Sequence, residues 1–290
     1  MKIYNYVLII SFIFLTLSCS VTKRQQQGYV LPETFDYKTN FTTAKSVIIL
    51  PVEINGIMKN FLFDTGGDLT LIQRDTILGK TEKISGASNR KIKIGNELVK
   101  SFKIGNVNFE NTVAWNGDFV GLKEQIPNFG GLIGQPIISK ANWLIDYPNK
   151  NIQFSDKNLI DNSFQSIDIK REDGAPYIKL MIGGKEYKAI IDLGSSATLS
   201  IPKDSKLAKV ILNTYNFKDN EREIYSVGGL QKVKEKIGVI PLIKIGDIDF
   251  LNVKTDIRHT SQLRVGNKFF KDYKVYIDNI KNNYSLKKGN

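Results

Sequence analysis

The sequence has one cysteine, Cys19, and one histidine, His259, in 290 residues. A single cysteine excludes a disulfide framework within the chain. One Cys and one His cannot supply a tetrahedral nitrogen–sulfur set, so a zinc site of that kind is excluded as well. A Ser-His-Asp or Cys-His hydrolase would have to use His259. That residue lies in Asp256-Ile257-Arg258-His259-Thr260, with no nucleophile motif beside it, and reads as a surface side chain. Gly183-Gly184-Lys185 lacks the strand-to-helix phosphate-loop pattern, so nucleotide binding is not supported. Acidic residues are in deficit, 29 against 41 Lys and Arg, for a net charge of +12. The lysines are scattered rather than arranged in a stripe with interleaved aromatics, so a nucleic-acid partner is not expected. No long amphipathic helix stands out, and no cofactor is implied.

The one sustained apolar run, Tyr4 to Leu17, follows Met1-Lys2 and precedes Ser18-Cys19-Ser20. It is too short for a comfortable membrane span and reads as a signal peptide over residues 1–18. Cys19 directly after it resembles a bacterial lipoprotein signal, in which the cysteine becomes the lipidated first residue. A plain signal peptide with an incidental cysteine is the other reading. Residues 19–40 are polar, with Gln25-Gln26-Gln27, and read as a lipid-anchored tether. The expected location is the bacterial cell envelope, facing the periplasm or the outside.

What the chain does have is a repeat. Phe61-Leu62-Phe63-Asp64-Thr65-Gly66-Gly67 recurs in altered form as Ala189-Ile190-Ile191-Asp192-Leu193-Gly194-Ser195. Each is an apolar run entering an Asp-x-Gly turn, the pattern of a buried strand that stops at a tight loop. Either turn alone could be an ordinary surface turn. Around them, however, further blocks recur in the same order at nearly the same spacing. Ile54-Asn55-Gly56 answers to Ile182-Gly183-Gly184, and Thr70-Leu71 to Thr198-Leu199. Lys103-Ile104-Gly105-Asn106-Val107-Asn108-Phe109 answers to Lys244-Ile245-Gly246-Asp247-Ile248-Asp249-Phe250. A duplicated lobe accounts for this. Alternating and short apolar runs throughout indicate an all-β chain. The lobes are expected over 41–156 and 165–290, joined through the polar stretch between Phe154 and Ile167, with a cleft between them.

These motifs resemble those of the retropepsin- and pepsin-type aspartic proteases, in a two-lobe, single-chain bacterial form. In that family each lobe carries Asp-Thr/Ser-Gly and, later, an apolar-apolar-Gly motif that packs across the catalytic loop. Here Asp64-Thr65-Gly66 is followed by Gly131-Leu132-Ile133-Gly134, and Asp192-Leu193-Gly194 by Leu263-Arg264-Val265-Gly266. The resemblance covers roughly residues 40–290. It implies a pepsin-like fold of two β-barrel lobes, with Asp64 and Asp192 as a carboxylate pair that activates water. It implies a peptide or protein substrate, no metal and no covalent intermediate. Both Asp loops lie in one chain, so a monomer suffices.

The sequence departs from the family in its second lobe. The hydroxyl after each Asp bonds across to the opposite loop; Thr65 can do this and Leu193 cannot. Leu193 is expected to pack against apolar neighbours instead, and Ser195 to help orient Asp192. Two hairpin tips are flap candidates: one with Ser85 and Gly86, one with Tyr225 and Gly228. Ordinary hairpin tips are the alternative. Beside the endopeptidase stand two other readings. One is a catalytically decayed binding module on the same fold, favoured by Leu193 and Arg264. The other is a structural envelope protein whose Asp loops only bind a ligand.

Overall fold

Asn55-Gly56 and Gly183-Gly184 all take positive φ, at 52° and 78° and at 57° and 75°. Two successive left-handed residues make the two-residue turn whose twist matches paired strands, and Asn and Gly are the residues that tolerate it. The first turn joins Val47–Ile54 to Ile57–Phe63; the second joins Ala175–Ile182 to Lys185–Asp192. The repeated Gly105 and Gly246 turns likewise join Lys91–Ile104 to Val107–Gly117 and Gly229–Ile245 to Ile248–Arg258. The computed structural model describes residues 26–85, 91–172 and 174–289. In it the sequence repeat becomes a repeat of architecture.

A nine-stranded sheet is built from residues 29–133, and an eight-stranded sheet from residues 170–266. In each, the strand that ends at the Asp loop is flanked by a parallel neighbour. Phe61, Leu62 and Phe63 pair with Gly131, Leu132 and Ile133, and Ile190, Ile191 and Asp192 pair with Arg264, Val265 and Gly266. A six-stranded sheet closes the base of the molecule with strands from both lobes. Its centre is an antiparallel pair, Asn142–Asp146 against Tyr273–Asp278, one strand from each lobe. A helical piece follows the Gly of each apolar-apolar-Gly motif, a short α-helix at Gln135–Ile138 and a 3-10 turn at Asn267–Phe270. Trp143 lies in the core over this sheet, stacked on Phe154 at 4.6 Å between ring centroids. Its indole N–H donates to the Ile138 carbonyl at 2.9 Å. Residues 156–164, between the lobes, carry no helix or strand.

The expected tether over 19–40 needs correction. Tyr29–Leu31 pairs with Asn108–Glu110, and Asp36–Asn40 is an edge strand of the six-stranded sheet, paired with Asn151–Ser155. The globular part therefore begins before residue 41. The reason is physical. An edge strand buries little of itself, so Asp36-Tyr37-Lys38-Thr39-Asn40 can be polar. Phe35 and Tyr37 hold the segment by packing on Phe154, at 6.0 and 5.6 Å. Cys19 and the apolar run before it lie outside the described residues.

Candidate active site

The two Asp loops face each other across the junction of the lobes. Their closeness is best seen from the glycines. A Cβ on Gly66 would lie 2.8 Å from Asp192 Cγ, and one on Gly194 would lie 2.5 Å from Asp64 Cγ. Each carboxyl group is thus seated against the other loop's glycine, where no side chain fits. The apolar-apolar-Gly motifs hold the loops from behind. The Asp64 amide donates to Ile133 O at 2.9 Å, and the Gln135 amide to Gly67 O at 3.0 Å. In the second lobe the Gly266 amide donates to Thr198 O at 2.9 Å, and the Asn267 amide to Ser195 O at 2.8 Å.

Thr65 joins the loops directly. Its hydroxyl donates to Ile191 O at 2.9 Å and accepts from the Leu193 amide at 3.0 Å, with Thr65 fully buried. Leu193 is also fully buried, within the apolar core. The cross-loop bonding therefore runs one way only, as the sequence indicates. Thr65→Val keeps the shape and strips two buried backbone groups of this partner. The expected cost is about 2–3 kcal/mol in urea unfolding, with Thr65→Ser retaining most of the stability. A Thr65→Val chain as stable as the native one would refute the cross-loop role.

The second lobe brings a group to the site whose role the sequence did not reveal. Arg264, beside Ile190 on the neighbouring strand, ion-pairs through Nη1 with Asp192 Oδ2. The other Asp192 oxygen, Oδ1, is buried with no hydrogen-bond partner among the described residues. Ser195 does not orient this carboxylate. Its amide donates to the Asp192 backbone carbonyl at 3.1 Å, and its Oγ accepts from the Ala197 amide at 3.4 Å. Burial raises the pKa of Asp64 above the ordinary carboxylate value, against the charge of Arg264 and the Gly66 and Gly67 amides, which pull it down. Arg264 is itself pulled below its usual value by burial, opposed by the charge of Asp64. The clue in the sequence was an arginine where the first lobe has Leu132.

Both flap candidates are hairpins. In the first lobe Thr81–Ser85 pairs with Lys91–Ile104, and the tip with Gly86 lies outside the described residues. In the second, Phe217–Ser226 pairs with Gly229–Ile245, and Val227-Gly228 forms the tip. That tip rests on the opposite lobe. Tyr225 and Val227 pack against an apolar cluster that includes Ile94, Trp115, Phe119 and Leu122. Gly121 and Gly229 are in such close contact that a Cβ on Gly121 would stand 2.5 Å from Gly229 Cα. Lys45 Nζ lies 3.4 Å above the Tyr225 ring. The Tyr225 hydroxyl is turned to Glu223 at 3.4 Å, along its own strand. His259 is exposed, as expected.

No known sequence family and no curated protein matches this chain in sequence. The crystal structure of the aspartic proteinase from Irpex lacteus does match in three dimensions, with a TM-score of 0.56 and 11% identity. The match covers 88% of this chain and 98% of that one. At that identity the likeness is one of fold: the chain is an all-β, two-lobe protein with a pepsin-like aspartic proteinase as its structural neighbour.

Proposed function

We propose that the protein is an aspartic endopeptidase, hydrolysing peptide bonds with a water activated between Asp64 and Asp192. The observation that carries this is the mutual seating of the two carboxyl groups, each against the other loop's glycine. Such chemistry needs one carboxyl that holds a proton and one that accepts it. Burial favours the neutral form of Asp64, which suits it to donate to the substrate carbonyl oxygen. Asp192, fixed through Oδ2 by Arg264, keeps Oδ1 to take the proton of the water. No metal enters this scheme. Attachment to a bacterial envelope membrane through lipidated Cys19 belongs to the same proposal, as does action as a monomer.

The test is incubation of the full chain with a mixed peptide library from acid to neutral pH, with products identified by mass. Internal cleavage that falls off as pH rises through the raised pKa of Asp64 is the expected result, because the acid form is then lost. A second reading, a peptide-binding module without hydrolysis, is favoured by the Arg264–Asp192 ion pair, which occupies one oxygen of the pair. Peptides retained by the protein but recovered intact at every pH would replace the first reading by the second.

A further inference from the structure

Strand register relates the walls of the two lobes residue by residue. In the first lobe Leu71 is paired with Trp115 on one side and Leu132 on the other. In the second lobe that place is held by Ser200, one residue beyond the Leu199 that the sequence repeat sets against Leu71, and it is paired with Asp256 and Arg264. Within the hairpins, Ile84 pairs with Ile92, and the residue two further on from Ile92 is Ile94. The corresponding pair is Arg222 with Val233, and two further on from Val233 is Glu235. Every one of these first-lobe side chains belongs to, or packs on, one apolar cluster beside the Asp64 strand. Five of their six counterparts are polar, serine, aspartate, two arginines and glutamate; the sixth, answering to Ile92, is Val233.

Ser200, Asp256, Arg222 and Glu235 are bonded together, mostly out of solvent, while Arg264 pairs with Asp192. Arg222 Nε donates to Glu235 at 2.9 Å, and its Nη2 stands 3.7 Å from Asp256. Ser200 Oγ donates to Asp256 Oδ2 at 3.0 Å, and Arg258 Nε to Asp256 Oδ1 at 2.8 Å. The carboxylates lie deepest: the side chains of Glu235 and Asp256 are 2% and 9% exposed, whereas Arg222 is 33% exposed. A ligand entering this half of the cleft therefore meets a guanidinium first. Its acids are already engaged underneath. An arginine held in place by a buried carboxylate is a preorganised receptor for another carboxylate.

We infer that the second-lobe half of the cleft selects an acidic side chain of a peptide, with Arg222 as the specificity-determining residue, at positions whose first-lobe counterparts are apolar. The inference deepens the peptide-cleft reading above and rests on it. Among the described residues, the register positions of Arg222 and Arg264 are filled in the first lobe by Ile84 and Leu132, so the preference is expected on one side of the reacting bond only.

The experiment uses the full chain and sets of peptides that differ at one position, Glu, Gln or Lys, scanned on both sides of a central bond. Cleavage is followed as kcat/KM. Binding is followed by fluorescence anisotropy on the Asp64→Asn chain, in which peptide is not consumed. Expected is a preference of at least tenfold for Glu over Gln at a position on one side only. Arg222→Gln should bring that ratio close to one, and Arg222→Lys should keep part of it. The native ratio stands as a measurement even where Arg222→Gln does not fold. Glu and Gln treated alike at all positions, or Lys preferred, would overturn the inference. Cleavage without a Glu preference leaves proteolysis intact and ends this inference. A Glu preference in binding without cleavage does the reverse.

Discussion

Under the proposed function, Asp64→Asn and Asp192→Asn are each expected to reduce peptide cleavage by about 10²–10⁴-fold, the usual worth of a positioned proton donor or acceptor. The amide has the shape of the carboxyl group and can neither give up nor take the proton at this step. The two variants part company in stability, which makes the prediction specific. Burial raises Asp64, so its ionised form is the one the folded state disfavours. In the native chain, stability falls as pH rises from the ordinary carboxylate value through the raised one, because the unfolded chain releases this proton more readily. Asp64→Asn lacks that loss and is expected to gain stability relative to the native chain as pH rises through this window. Asp192→Asn has the opposite sign, because it leaves the Arg264 cation buried without its carboxylate partner. Urea unfolding of both variants at pH 4 and 7, alongside the cleavage assay, reads both effects. Undiminished cleavage in either variant would remove the dyad from the mechanism.

Arg264→Leu, which copies Leu132 of the first lobe, is expected to cost about 3–5 kcal/mol, as breaking a buried ion pair from one side does. The side chains are 15% and 7% exposed, so screening by solvent does not reduce this to the small value of a surface pair. The carboxylate of Asp192 then has both oxygens without an arginine partner. The double variant Arg264→Leu/Asp192→Asn should recover most of the loss, since it removes the charge left behind. The pH profile moves too. Arg264 holds Asp64 down against burial, so without it Asp64 titrates higher and the descending limb of the rate profile shifts to higher pH. A single-variant cost below about 1 kcal/mol would mean that the pair is not buried and bonded in solution as described.

The parts of this molecule that were legible in the sequence are those set by local rules. Asn55-Gly56 and Gly183-Gly184 announced their turns because few other residues accept two positive φ angles in a row. The Asp loops announced themselves because an apolar run twice entered an Asp-x-Gly turn, with further blocks recurring around both in the same order. Leu193 could be assigned to packing since it has no polar atom beyond its backbone. The Asp36–Asn40 strand was missed because a polar edge strand has no hydrophobic period to read; its evidence is a partner strand more than a hundred residues away. Ser195 was given a carboxylate to orient, but Arg264, distant in sequence, took that place. Arg264 was visible as an irregularity, though its partner was not: a broken motif shows where something differs, and only the fold shows what it meets. The resting place of Tyr225 on the opposite lobe belongs to the same class.

The central strand pair of the six-stranded sheet sets a condition on how these two halves can exist apart. Asn142–Asp146 and Tyr273–Asp278 cover each other's edges, so severing the chain at 156–164 would not release two self-sufficient pieces. A lone half would present a bare edge, and a second copy of itself is the surface shaped to cover it. In such a symmetric pair every change is made twice. An Asp-Leu-Gly loop would then abolish the Thr65 link altogether, and an arginine at the Leu132 position would bring two cations to one pair of carboxylates. Joining the halves in one polypeptide lifts that rule. It lets one side keep the threonine that fastens the loops while the other exchanges an apolar wall for a charged one.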